Sequence, residues 1–187
     1  MRTMFLSGIL AALILPLLAE QEMPNPAIDY AEFARLTNEL APVREKNRVT
    51  EEQFIKMAAE PGTIVLDART RGWFERIHVK GARHLALTDF TADALQKVMP
   101  DKNMRILIYC NNNFENEPEG FARKTRSVSL NIQTFINLHA YGYRNVYELG
   151  PLLDVNTTKI PLVRNINLTP LPKAQVRPTW QPVPAPE

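Results

Sequence analysis

The chain has 187 residues, of which 45% are hydrophobic, and this composition predicts one globular domain with additional segments at its ends. Its 22 basic and 20 acidic side chains leave a formal net charge of +2. So small a charge excludes the strongly basic character of a nucleic-acid-binding domain, although a local basic patch is still able to hold a small anion.

The N-terminus has the pattern of an export signal. Arg2 precedes an uncharged, mostly apolar run over residues 4–18, and Ala19 marks the expected cleavage position. We predict a signal peptide over residues 1–19 and a periplasmic or secreted location. The alternative is an uncleaved membrane anchor, for which the apolar run is short, since a span needs about 20 residues.

The first predicted helix lies between residues 28 and 40. Apolar residues recur there at three- and four-residue spacing, the pattern of one helix face: Tyr30, Phe33, Leu36 and Leu40. Pro42 is expected to end this helix, because proline disfavours helical angles in the residue before it. Residues 20–47 are therefore predicted to be an N-terminal extension with one helix.

From residue 48 onward, short apolar runs alternate with helical patterns. Thr50 and Gln53 have the spacing of a capping box at the start of a helix. Branched apolar runs predict strands, and the segments between them predict helices: strands at 63–66, 84–87, 105–109 and 145–149, helices at 91–98 and 129–140. This alternation predicts an α/β fold, with a central, mostly parallel sheet and helices on both of its faces.

The pattern ends after residue 155. Seven prolines lie between Pro161 and Glu187, with little apolar periodicity. We predict a Pro-rich C-terminal tail over residues 156–187 that favours extended conformations and has no core of its own.

Cys110 is the only cysteine of the chain and directly follows the predicted strand at 105–109. Cysteines in an oxidising compartment usually pair as disulfides, and a single one indicates a reactive thiol or an intermolecular pairing. A buried, inert thiol is the alternative. The thiolate is the nucleophilic form, so a reactive cysteine needs surroundings that favour negative charge.

Several motifs, in this order, resemble those of rhodanese-like domains: Val65-Leu-Asp-Ala-Arg69, Phe74 followed by His78-Val-Lys-Gly81-Ala82, Ile106-Leu-Ile-Tyr-Cys110, and Tyr141-Gly-Tyr-Arg-Asn-Val-Tyr-Glu-Leu149. The resemblance covers residues 48–155. It implies the rhodanese-like fold for this segment, with Cys110 as the catalytic nucleophile and no cofactor.

The segment after the cysteine departs from the family pattern. Rhodaneses usually have a glycine about three residues on and an Arg-Ser or Arg-Thr pair at the next helix; here three asparagines follow, about a dozen extra residues intervene, and Leu130-Asn131 takes the place of the pair. Because asparagine tolerates positive φ, we expect the triplet to replace the glycine in a loop whose amide groups face the sulfur. The candidate anion-binding residues are Asn111, Asn112, Asn113, Arg123, Lys124, Arg126 and Asn131. The basic residues belong to this set if the enlarged loop folds over the cysteine; an exposed, self-paired charged loop is the alternative.

Asp67 and Arg69 follow the first buried strand and are expected near the same edge of the sheet. Both are candidates for shaping the pocket, and an internal ion pair that fixes the turn is the preferred interpretation. The three histidines match no metal-ligand spacing, so no metal site is predicted.

We therefore predict an exported sulfurtransferase that passes sulfane sulfur through a Cys110 persulfide, from a thiosulfate-like anion to cyanide or a thiol. One alternative is a non-catalytic rhodanese-like module that binds a small anion, or a partner protein through the long loop or the Pro-rich tail. A phosphatase or arsenate reductase is a weaker alternative, because those enzymes need an arginine soon after the cysteine. No nucleic-acid partner is expected, and a membrane only if the N-terminal segment stays uncleaved.

Overall fold

The computed structural model describes residues 25–165, so the predicted signal peptide and most of the predicted tail lie outside the described residues. The helices are α1 (Tyr30–Lys46), α2 (Glu51–Ala58), α3 (Arg71–Arg76), α4 (Ala92–Val98) and α5 (Leu130–Ala140). The strands are β1 (Arg48–Val49), β2 (Thr63–Asp67), β3 (Ile77–Val79), β4 (Arg83–His84), β5 (Arg105–Tyr109), β6 (Phe114–Glu115), β7 (Val146–Leu149), β8 (Leu153–Asp154) and β9 (Leu162–Arg164). In this part of the chain, no helix is long and apolar enough to cross a bilayer.

Five strands form one parallel sheet in the order β1-β7-β5-β2-β4. The predicted α/β fold with a central parallel sheet is confirmed. The strand β5 lies in the middle, paired with β2 on one side and β7 on the other. Its carboxyl end, where Cys110 follows, therefore lies at the centre of the sheet edge where open α/β sheets bind ligands.

The sheet has a separate hydrophobic core on each face, because side chains of a strand alternate between its two faces. From β5, Ile106 and Ile108 pack into the core that also contains residues of α1, α4 and α5. Leu107 and Tyr109 pack into the other core, together with Phe54 of α2. Helices thus cover both faces, as the sequence predicted.

The helix α1 does not end at Pro42, contrary to the prediction, but continues to Lys46. A proline in a helix removes one backbone donor, and the carbonyl left without it belongs to Asn38. Both residues are exposed, so water is able to satisfy that carbonyl. The last turn is attached to the sheet by an ion pair from Arg44 to the buried Glu148. Only part of the apolar face of α1 is covered: Leu40 is buried, whereas Tyr30 at the start of the helix is 79% exposed.

The chain after residue 155 is not all tail, so the predicted boundary lies too early. Ile160 is buried in the second core, and β9 pairs antiparallel with β3. Another small sheet joins β6 to β8. The predicted strand at 84–87 is also shorter than expected, because β4 ends at His84 and a 3-10 turn follows at Leu87–Asp89.

Candidate functional site

Cys110 is the N-cap residue of a 3-10 turn, Asn111–Asn113, that begins at the carboxyl end of β5. The backbone N–H of Asn112 donates to Cys110 Sγ at 3.4 Å. In return, the N–H of Cys110 donates to Oδ1 of Asn113 at 2.9 Å. The sulfur thus takes the acceptor position that a serine or aspartate oxygen takes at an ordinary helix start.

The start of α5 contacts the sulfur from the other side. Ser129 is the N-cap residue of α5, yet its hydroxyl makes no capping bond to that helix. Ser129 Oγ lies instead 3.4 Å from Cys110 Sγ. The sulfur therefore lies beside the N-terminal end of α5, where a helix carries a partial positive charge. Sequence reasoning missed Ser129, although a serine just before a helical pattern is a signal for an N-cap.

Access to the thiol is closed in this conformation, since Cys110 is only 1% exposed. The neighbouring segment 122–129, here called the strap, has six consecutive exposed residues at its centre and no buried one. It ends at Ser129, which touches the sulfur. The strap is thus the least packed part of the chain next to Cys110.

The asparagine triplet does not form the predicted ring of donors around the sulfur. The Asn111 side chain donates to the Ala122 carbonyl at 2.7 Å. The Asn112 side chain bonds both backbone groups of Lys124, its Nδ2 donating at 2.8 Å and its Oδ1 accepting at 2.9 Å. These three bonds attach the strap to the cysteine turn. Nor does the triplet adopt positive φ: among the described non-glycine residues only Asn116 does, with φ 64°.

Asn113 and Asn131 form a buried structural link instead of an anion site. Asn113 Oδ1 accepts from Nδ2 of Asn131, and its own Nδ2 donates to the carbonyls of Leu149 and Pro151. The link therefore joins the cysteine turn to α5 and to the end of β7. Oδ1 of Asn131 is buried without a partner among the described residues. The predicted role of Asn113 as a free anion donor is wrong, because both N–H groups of its amide have acceptors; Asn131 uses one N–H to bond Asn113.

The first half of the enlarged loop is part of the second core. Phe114 and Phe121 are buried and their rings stack, with centroids 4.4 Å apart. Gly120 packs so closely on Ile77 that an added Cβ would lie 2.1 Å from Cγ2 of that side chain. The loop up to Phe121 is therefore fixed by packing and is not a free surface insertion.

Asp67 and Arg69 form a buried ion pair, as the preferred interpretation expected. Nε and Nη2 of Arg69 both donate to the Asp67 carboxylate, and the guanidinium also donates to the carbonyls of Gly120 and Ile77. Burial lowers the pKa of Arg69, but the hydrogen bonds to Asp67 and the charge of Asp67 have the larger combined effect, so the pKa of Arg69 is raised. The Tyr109 hydroxyl also donates to Asp67, and burial, then the Asp67 charge, raises the pKa of Tyr109 well above its usual value. Since the guanidinium has its partners inside the protein, Arg69 fixes the enlarged loop to the sheet edge.

A cleft of about 200 Å³ lies beside the cysteine turn. Its lining comes from the loops after β2 and β4, from Trp73 of α3, from Asn111 and Lys124, and from the first turn of α5. Of the three predicted basic residues, Lys124 lines this cleft, whereas Arg123 and Arg126 are exposed residues that do not. Cys110 itself is not part of the lining.

The histidines are occupied with backbone carbonyls: one ring nitrogen of His78, of His84 and of His139 lies within hydrogen-bond distance of the carbonyls of Phe74, Arg69 and Phe135, respectively. Over residues 25–165, no group of three or more potential ligands could hold a metal ion.

Comparison with solved structures gives similar chains of low sequence identity. The solution structure of the rhodanese-like domain of the Anabaena sp. Alr3790 protein is 18% identical, with a TM-score of 0.47 over 75% of this chain and 97% of that one. The protein hp1203 of Helicobacter pylori is 19% identical, with a TM-score of 0.43 over 65% and 93%. A rhodanese from E. coli, described with anions, is 23% identical, with a TM-score of 0.34 over 55% and 99%. No curated protein matches the chain.

The family comparison is decisive for membership. The rhodanese-like domain family matches residues 50–150, which is more than half of the chain. The matched segment begins at the N-cap of α2 and ends just after β7, and so contains the parallel strands β2, β4, β5 and β7 together with Cys110. The chain therefore belongs to the rhodanese-like domain family.

Proposed function

We propose that this protein is a sulfurtransferase in which Cys110 accepts a sulfane sulfur and passes it on. The observation that supports this most strongly is the setting of Cys110 Sγ at the N-cap of a 3-10 turn and beside the N-terminus of α5. One supplies the N–H of Asn112 and the other the hydroxyl of Ser129, each 3.4 Å from the sulfur. The thiolate, which attacks, and the persulfide, which forms, both carry the negative charge that such surroundings favour.

The transfer takes two balanced steps. The Cys110 thiolate attacks the outer sulfur of thiosulfate, the new S–S bond forms, the old one breaks, and sulfite leaves with its electron pair. Cyanide or a thiolate acceptor then attacks the outer persulfide sulfur, and the Cys110 thiolate is the leaving group. Dividing one transfer into two is ordinary covalent catalysis, and a thiolate nucleophile needs no general base.

This chemistry requires that the sulfur become accessible. At 1% exposure, Cys110 has no room for a thiosulfate ion unless a neighbouring segment moves. The strap is the candidate for that movement, because hydrogen bonds of the Asn111 and Asn112 side chains and the contact of Ser129 with the sulfur hold it, and it has no buried residue of its own.

We also propose that the protein acts outside the cytoplasm, with its signal peptide removed. The support is the apolar N-terminal run that precedes Ala19. In that compartment, thiosulfate would be the sulfur donor and a small thiol the acceptor.

The test is intact mass spectrometry after incubation with thiosulfate. We expect wild-type protein to gain one sulfur atom, to lose it on addition of cyanide, and Cys110→Ser to gain none. If the wild-type protein gains no sulfur while its denatured thiol alkylates fully, sulfur transfer from thiosulfate is excluded.

The burial of Cys110 supports a second candidate, a non-catalytic rhodanese-like module that binds a small anion or a partner protein. It predicts no sulfur adduct with any sulfane donor and slow alkylation of the folded protein at neutral pH. The same mass measurement, repeated with an organic persulfide as donor, separates this module from a transferase that merely rejects thiosulfate.

A further inference from the structure

We propose that the cleft beside the cysteine turn binds a small organic anion with a flat apolar body, at a site separate from the sulfur. The inference goes beyond the proposed function, because the ligand does not exchange atoms with Cys110. It follows from the shape, the charge and the uncommitted polar groups of the cleft.

The size and the walls of the cleft suit a ligand of about one aromatic ring. Its volume is about 200 Å³, and Trp73, Leu87 and Leu130 supply large apolar side chains to the lining. Small-molecule sites are typically concave and mostly apolar, with a few polar groups that fix the orientation of the ligand. The apolar walls therefore favour a flat hydrophobic body over a fully hydrated ion such as thiosulfate.

The charge of the lining favours an anion. No aspartate or glutamate lines the cleft, and its two cationic residues are Arg69 and Lys124. The charge of Arg69 is neutralised by its buried ion pair with Asp67. Lys124 has no ion pair within the described part of the chain, so its charge is left for a ligand.

Two further polar side chains in the lining are uncommitted. The side chains of Thr70 and Gln133 form no hydrogen bond with another described residue, in contrast to Asn111, whose Nδ2 is bonded to the strap. Thr70 follows the loop after β2, and Gln133 lies on the first turn of α5. A few polar groups in a mostly apolar site fix the orientation of a ligand, and both of these side chains have donors for a carboxylate.

The cleft and the sulfur are neighbours without being one site. Asn111 and Leu130 line the cleft, and each directly follows a residue of the sulfur site, Cys110 or Ser129. Cys110 does not line the cleft, and it is 1% exposed. A ligand in the cleft therefore lies beside the cysteine turn and does not touch Sγ.

The test is equilibrium binding of benzoate, followed by the fluorescence of Trp73 in a Trp180→Phe background. Benzamide, of the same shape but neutral, and acetate, charged but without the ring, are the matched ligands. Lys124→Gln removes the cleft cation, and Arg123→Gln is its control, since Arg123 is an exposed neighbour outside the lining. Cys110→Ser is measured in parallel.

We expect benzoate to bind the wild-type protein saturably, about fivefold more weakly to Lys124→Gln, and with unchanged affinity to Arg123→Gln and Cys110→Ser. Benzamide and acetate are expected to bind the wild-type protein more weakly than benzoate binds Lys124→Gln. Equal binding of benzoate and benzamide, equal loss in both lysine and arginine variants, or no saturation overturns the inference. Competition of thiosulfate with benzoate also overturns it, because the cleft would then be the donor site. Since no sulfur is transferred in this assay, its outcome is independent of the proposed function.

Discussion

Replacing Asn112 by alanine is expected to make Cys110 much more reactive in the folded protein. Besides the contact of Ser129 Oγ with Cys110 Sγ, three hydrogen bonds of the Asn111 and Asn112 side chains attach the strap to the cysteine turn. At about 1 kcal/mol net for each bond, the three asparagine bonds alone hold the strap closed by roughly 3 kcal/mol. The open state then accounts for at most about one molecule in 150, and losing the two Asn112 bonds raises this fraction about 30-fold.

The assay is the rate at which iodoacetamide alkylates Cys110 at neutral pH, without urea and far below the temperature of thermal unfolding. We expect the Asn112→Ala rate to rise by a factor of ten to thirty, in line with the bonds lost. Asn156→Ala is the control, because that side chain bonds only to the nearby Asp154. A rate within about twofold of wild type would refute the idea that the strap limits access. So would a rise fully explained by a lower free energy of global unfolding, measured in urea.

Three further changes test the packing of the site. Asn113→Ala is expected to lower the free energy of unfolding by about 3 kcal/mol in urea titrations, because it deletes four hydrogen bonds at a residue only 5% exposed; a loss below about 1 kcal/mol contradicts the structural link. Gly120→Ala is expected to lower the free energy of unfolding by about 1–3 kcal/mol, because the added Cβ overlaps Ile77. Gly72→Ala, in open space on α3, is the control and is expected to be neutral or stabilising, so equal effects of the two changes would contradict the close packing at Gly120. Burial lowers the pKa of His139, aided by the charge of Arg144 and opposed by its bond to a carbonyl. The unfolded chain thus takes up this proton first, so stability should fall as pH drops below about 6.5, and the fall should be smaller in His139→Gln when both are titrated by thermal unfolding.

The parallel sheet could be predicted because its signals are local. The strands β2 and β5 are runs of branched apolar residues of a length typical of buried strands, and they appear within one residue of the predicted bounds. The capping box of Thr50 and Gln53 is present as predicted, since both partners lie within one turn of helix. The position of Cys110 follows from the strand that precedes it.

The parts that the sequence did not predict depend on distant partners. The Asn112 side chain bonds the backbone of Lys124 and not the sulfur, and the spacing of these residues in the sequence does not indicate that pairing. The strands β6 and β9 are two and three residues long and exist only because β8 and β3 lie beside them. The helix α1 continues past Pro42 because the Asn38 carbonyl, which lacks a backbone donor there, is exposed. That exposure depends on the fold and not on the residues next to the proline.

The enlarged loop has two halves with different physical properties, and this division connects the structure to the proposed chemistry. The first half is fixed by the stacked rings of Phe114 and Phe121 and by the Arg69 bond to Gly120, so it moves only if the core opens. The strap has no such anchor, and its opening costs only hydrogen bonds that water is able to replace. A thiol behind such a segment is shielded most of the time and becomes reachable when the segment opens, which suits the exported single-cysteine protein that we propose. The first half therefore belongs to the packed structure around the sheet edge where Cys110 lies, and the strap covers the sulfur.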